Sequence, residues 1–211
     1  MSASGDGNGH GNSGSGTTSS WARKKFGKDA ARLTAAVPER LHRAHLRAQA
    51  GYKASGLKRP GASYGHTLGD AVREELAQEA EELGGLVRSL RGKDYAVIND
   101  HVLFPFKYDS RPVPVEQARM KDASEVRRRL FGAHGPEEQD AIFPADEYTT
   151  EEYDRLHEAF EELGRTAKLV SLFFTCDPEN GVHSIHWGEA RLEPDGTFSW
   201  AHREELPAVG A

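Results

Sequence analysis

A single cysteine, Cys176, stands among 211 residues, which excludes a disulfide framework and any zinc site built on several thiolates. Long apolar runs are missing too. The longest nearly unbroken one, Leu169 to Cys176, has eight residues, far short of the ~20 that a bilayer-spanning helix needs, so no membrane partner is expected. Nor is there an excess of basic charge. With 27 lysines and arginines against 33 aspartates and glutamates, the net charge of −6 excludes a uniformly basic coat for nucleic acid. The first twenty residues lack the positive start and apolar middle of a secretory signal, and the expected address is the cytoplasm. What remains, 37% hydrophobic and 28% charged residues, lets a chain of this length bury a core of its own.

The charge is unevenly distributed, and this divides the chain into three parts. Residues 1–20 are almost entirely Gly, Ser, Asn and Thr, with too little apolar surface to offset the entropy of ordering, and are expected to form a disordered tail. Residues 21–60 hold eleven basic residues against Asp29 and Glu39, a net +9. They form a basic helical arm. Residues 61–211 are left with −14 and make up an acidic domain.

Within the arm, Pro38 suits the first position of a helix, where its missing N–H has no intrahelical partner, and good helix formers follow to Gln49. At 100° per residue Leu41, Ala44, His45 and Ala48 share one face, while Arg40, Arg43 and Arg47 line another. Lys53 to Gly65, with four Gly or Pro residues, reads as a loop. Thr67 with Asp70 resembles a capping box, and Val72, Leu76, Ala80 and Leu83 follow at helical spacing, which predicts a helix from Leu68 to Leu83 stopped by Gly84-Gly85. Leu86 to Arg91 fits helix or strand equally. Tyr95–Ile98 and Val102–Tyr108 predict a hairpin around Asn99-Asp100, with Pro105 placing the second strand at an edge or at a bulge. A short helix is expected over Asp122–Phe131, stopped by Gly132, and another after the Thr149/Glu152 capping box, stopped by Gly164. Leu169–Cys176, Val182–Leu192 and Thr197–His202 then read as three strands. The expected fold class is α+β: a mostly antiparallel sheet built from hairpins and covered by amphipathic helices.

The run Arg73-Glu74-Glu75-Leu76-Ala77-Gln78-Glu79-Ala80-Glu81-Glu82-Leu83-Gly84 resembles the helix of Nudix hydrolases, in which glutamates beside an Arg-Glu pair hold a divalent metal. Here the family's glutamate pair falls near Ala77-Gln78 and its upstream glutamate at Gly65, so the activity is not carried over. The solvated outer face of an amphipathic helix accounts for these glutamates. No metal site and no cofactor are predicted.

Cys176, Asp177, His183, His186 and Glu189 carry atom types suited to acid–base or metal chemistry. Strand geometry tests them. With a four-residue loop Pro178–Gly181, Cys176 faces His183, and one sheet face carries Val170, Leu172, Phe174, Cys176, His183, Ile185, Trp187 and Glu189. That face is the expected core; Ser171, Phe173, Thr175, Ser184, His186 and Gly188 lie on the other. His183 and His186 then diverge unless a bulge intervenes. Glu189 on an apolar face needs a partner, for which Arg191 and Lys168 are the candidates in sequence. The Asp177…Glu189-Ala190-Arg191 pattern is similar to the acidic-then-Glu-x-Lys signature of restriction-type nucleases, with Arg in place of Lys and Asp177 in a turn. Val102, Phe104, Phe106 and Tyr108 share one strand face, with Lys107 on the other; the spacing of the four predicts core.

Two functional classes follow. The first is a non-catalytic cytoplasmic interaction or regulatory protein, whose arm residues Arg23, Lys24, Lys25, Arg40, Arg43 and Arg47 engage an anionic partner, either nucleic acid or an acidic protein surface, or dock on the chain's own acidic body. The second is a hydrolase- or nuclease-type enzyme with Glu189, His183 and Asp177 near its site, Glu189 as base or metal ligand and Cys176 close by. An enzyme requires several polar groups converging in one pocket.

Overall fold

The computed structural model describes residues 18–56, 61–90, 92–121, 123–136 and 167–209. Residues 1–17 of the expected tail and the expected helix after Thr149 lie outside the described residues. The chain opens with α1 (Ser20–Phe26), where the Ser19 hydroxyl accepts a hydrogen bond from the Ala22 N–H at 2.9 Å. A 3₁₀ turn, Gly27–Asp29, leads into the 26-residue α2 (Ala30–Ser55). Pro38 therefore does not open this helix; it lies well inside it. The buried stripe Leu33, Val37, Leu41, Ala44, Ala48 runs through Pro38 without a break, and its burial outweighs the ~3 kcal/mol that an interior proline costs.

The next helix, α3 (Gly61–Glu82), starts nearly two turns before the expected cap at Thr67. The expected loop Lys53–Gly65 is thus largely helical, with Lys53–Ser55 closing α2 and Gly61–Gly65 opening α3. Tyr64 explains the added turns, because its side chain is 1% exposed and its hydroxyl is locked among buried polar groups. At the other end Gly84, at φ 73°, turns the chain out of the helix, and the Gly85 N–H reaches the Ala80 carbonyl at 2.8 Å.

Six strands follow: β1 (Leu86–Leu90), β2 (Lys93–Ile98), β3 (His101–Asp109), β4 (Lys168–Asp177), β5 (Gly181–Leu192) and β6 (Phe198–Leu206). They lie in sequence order in one sheet. All neighbours are antiparallel except β3 and β4, which run parallel. Asn99 and Asp100, both at positive φ, turn β2 into β3. Pro105 does not lie on an edge strand, since β3 sits between β2 and β4, but the strand does carry the alternative, a bulge: its register with β4 shifts between Lys107 and Asp109. Pro105 is accommodated because the β2–β3 ladder stops after two residue pairs, Val97 with Val102 and Ile98 with His101, so beyond Val102 no β2 partner is left without a donor.

Both faces of the sheet are buried, not one. On the first, α1, α2 and α3 cover Leu103, Val170, Leu172, Phe174, Cys176, Ile185 and Trp187. On the second, Val102, Phe104, Leu169, Phe173 and Ala190 pack under Val115, Ala118, Met120, Leu130 and Phe131, the last two from α4 (Glu125–His134). This short helix runs past Gly132 and ends at Gly135, where a Cβ would stand 2.2 Å from the Phe131 carbonyl oxygen. The buried Leu130, Phe131 and His134 carry it over the smaller residue. The result is an α+β fold, and no helix among the described residues is long and apolar enough to cross a membrane.

Candidate functional site

The arginines of α2 turn toward the glutamates of α3. Arg40, with 3% of its side chain exposed, donates from Nε to Glu79 at 2.9 Å, from Nη2 to Glu82 at 2.6 Å and from Nη1 to Glu75 at 3.4 Å. Burial opposes its charge, yet the three carboxylates outweigh that and hold its pKa above the ordinary value. Arg43 and Arg47, each about half exposed, also pair with Glu75, and Arg47 with Glu74. Glu75 and Glu79 are consequently buried, so the solvated-face expectation fails for these two and holds for Glu74, Glu81 and Glu82. Of the remaining arm cations, Lys25 is paired, whereas Arg23 and Lys24 are exposed on α1.

Glu189 finds neither Arg191 nor Lys168. It accepts from Lys25 Nζ at 2.6 Å and from the Trp21 indole at 3.0 Å, while Arg191 lies 3.8 Å from Glu193. Helix α1 folds back across the sheet and supplies partners that are remote in sequence. Burial works against ionisation of Glu189, but Lys25 and Trp21 prevail and hold its pKa below the usual value. Glu189 stands six residues from His183 along β5, about 20 Å at strand rise. The two do not share a site.

At the turn between β4 and β5 the expected facing of Cys176 and His183 is displaced. Thr175 pairs with Ser184 but Cys176 pairs with Val182, so His183 is the extra residue of a bulge. Its Nε2 turns to the Asp177 carboxylate at 2.7 Å. Burial would raise the Asp177 pKa; the N–H groups of Asn180 and Glu179, the Asn180 amide and His183 instead hold it well below the carboxylate range. Cys176 is fully buried against two residues from the helices: Tyr64 Oη at 2.9 Å and His45 Nδ1 at 3.8 Å, with Tyr64 Oη also 2.8 Å from His45. Burial pushes the Cys176 thiol and the Tyr64 phenol up and the His45 imidazole down, so all three are neutral near pH 7. None of the three reaches solvent.

Beside this cluster, at the carboxyl end of the parallel β3–β4 pair, lies a cleft of about 50 Å³ lined by Gly65, Leu68, Gly69, Val72, Arg73, Pro105, Lys107 and Phe174. It adjoins the stretch of β3 that has left the β2 ladder. Pro105 and Lys107 form its strand side, and the two glycines of α3 leave its helix side without bulk. Lys107 Nζ stands 5.5 Å from the Tyr64 ring centre and donates to Ser110 Oγ at 2.9 Å. Among the described residues no carboxylate is within ion-pairing distance of it. Burial lowers its pKa. Arg73, 15% exposed, lies over Gly69 and pairs with Asp70.

Sequence reasoning placed His45 on the apolar face of its helix but missed Tyr64, which sat in a supposed loop, and gave Lys107 and Arg73 no role. The signal for Lys107 was its place opposite a row of four β-forming side chains. Among the described residues no group of three His, Cys, Asp or Glu side chains is arranged to hold a metal. No protein-family model, curated protein or solved structure matches the chain.

Proposed function

We propose that this is a non-catalytic interaction protein that engages an anionic partner through the cations its internal ion pairs leave over. The observation that carries this reading is Lys107. A half-buried ammonium with no carboxylate within ion-pairing distance among the described residues is a costly arrangement that an incoming anion relieves. Exposed Arg23 and Lys24 extend the available positive surface. The separation of His183 from Glu189 and the burial of Cys176 favour binding over hydrolysis.

Fluorescence anisotropy with a labelled single-stranded oligonucleotide and with a glutamate-rich peptide, each across a salt series, tests the proposal. At least one probe is expected to bind, with log affinity falling linearly against log salt. Failure of both at low salt overturns it.

A further inference from the structure

The cleft at the end of β3 has a composition that narrows its ligand. Two cations of different shape, the planar guanidinium of Arg73 and the compact ammonium of Lys107, line a space of about 50 Å³ whose remaining walls are Gly65, Gly69, Leu68, Val72, Pro105 and Phe174. Resting on the reading above, we infer that this cleft is a subsite for a single phosphate group. Two cations match a charge between −1 and −2 and three or more acceptor oxygens; a carboxylate offers one charge and two oxygens. Asp70 occupies part of the Arg73 fork, which leaves other N–H donors of the same guanidinium for a ligand. The cleft is small and partly open, so a compact oxyanion fits within it and the rest of a larger ligand lies outside.

Two further features act in the same direction. Lys93 is close enough to Arg73 to add to the local positive potential. The break in the β2–β3 ladder keeps β2 from closing over the strand side of the cleft. Asp109 and Asp177 oppose the effect from the ends of β3 and β4; Arg111 offsets the charge of Asp109, while Asp177 is held by Asn180 and His183 and keeps its charge.

The test is a ³¹P NMR titration of the full chain with inorganic phosphate at constant ionic strength. Saturable broadening is expected for wild type and for Lys107→Arg, with at least a tenfold weaker response for Lys107→Met. Gly65→Leu serves as a second variant: Gly65 lines the cleft and nothing lies within 4 Å of the position its Cβ would take, so added bulk there is expected to narrow the space while leaving both cations in the sequence. It decides the matter if Lys107→Met fails to fold by circular dichroism. Displacement of phosphate by a single-stranded oligonucleotide assigns the phosphate to a nucleic-acid backbone; retention in its presence assigns it to a small phosphorylated ligand. No saturable binding, or binding untouched by both variants, overturns the inference. Oligonucleotide or peptide binding that persists without it leaves the broader reading standing.

Discussion

Arg40 of α2 and Glu79 of α3 meet with Nη2 and Oε2 2.8 Å apart, each side chain 3% exposed. Two charges removed from water in this way define how the helices register against each other, because a slip by one turn would bury each without its counterpart. The same pairing occupies the most central member of the arginine stripe. It leaves the outward binding capacity of α2 to Arg43 and Arg47, and these are engaged at their inner edges.

Replacement of Arg40 by Met is expected to destabilise the fold by ~3–5 kcal/mol, since it leaves buried carboxylates without their cation. Combining Arg40→Met with Glu79→Met is expected to recover much of that loss, as apolar groups of similar volume often do at buried ion pairs. Urea unfolding of the two variants checks both statements. Equal midpoints for the single and double variants contradict them.

Stability is expected to fall in two stages on acidification. His45, His101, His134 and His186 all have pKa values lowered by burial, so the unfolded chain binds protons first. Their contribution is complete above the unfolded histidine value of ~6.5 and is lost as pH drops through the folded values. Asp177 and Glu189, also depressed in the fold, add a second loss that starts below about pH 4.5. Urea midpoints measured from pH 8 to pH 3 should show both, and His45→Gln should flatten the upper stage.

Cys176 should resist a thiol reagent in the native protein and react quickly in denaturant, because it is fully buried and its thiol pKa is raised. Tyr64→Phe removes the hydroxyl that joins it to His45 and is expected to cost ~1–3 kcal/mol through the partners left unsatisfied. Fast labelling of the native wild type would mark an open path to the cluster.

Gly188 lies at φ 156° in a bulged part of β5, where a Cβ would stand 2.1 Å from the His202 carbonyl oxygen. Gly188→Ala is expected to destabilise by at least ~2 kcal/mol, because neither backbone can move without opening the β5–β6 ladder. A midpoint unchanged from wild type would show that the ladder shifts freely.

Much of the architecture was legible because it is local. The turn at Asn99-Asp100, the apolar face of Leu172, Phe174, Ile185 and Trp187, and the stop at Gly84 follow from period and turn chemistry. The failures came from tertiary contacts that override local signals. Pro38 yielded to a buried stripe on both its sides, Tyr64 turned a glycine-rich loop into helix, and the partners of Glu189 arrived from a helix 164 or more residues away. The cleft was hidden for the same reason. Gly65, Arg73 and Lys107 look unremarkable one by one and acquire meaning only when α3 crosses β3.

The closure of α1 and α2 onto the last hairpins has a consequence for how the chain comes to be folded. Trp21 reaches Glu189, His45 reaches Cys176 and Gln49 Nε2 reaches the Pro178 carbonyl, across 168, 131 and 129 residues. Contacts of such separation form late and slow the search. The α2–α3 ion pairs span 27 to 50 residues, so this hairpin of helices is expected to assemble first, with the part of its apolar stripe that meets the sheet still uncovered. At 5–20 residues per second, synthesis leaves that stripe uncovered for on the order of ten seconds before β5 emerges. During this interval the first third of the chain is expected to expose apolar surface that the finished sheet later covers.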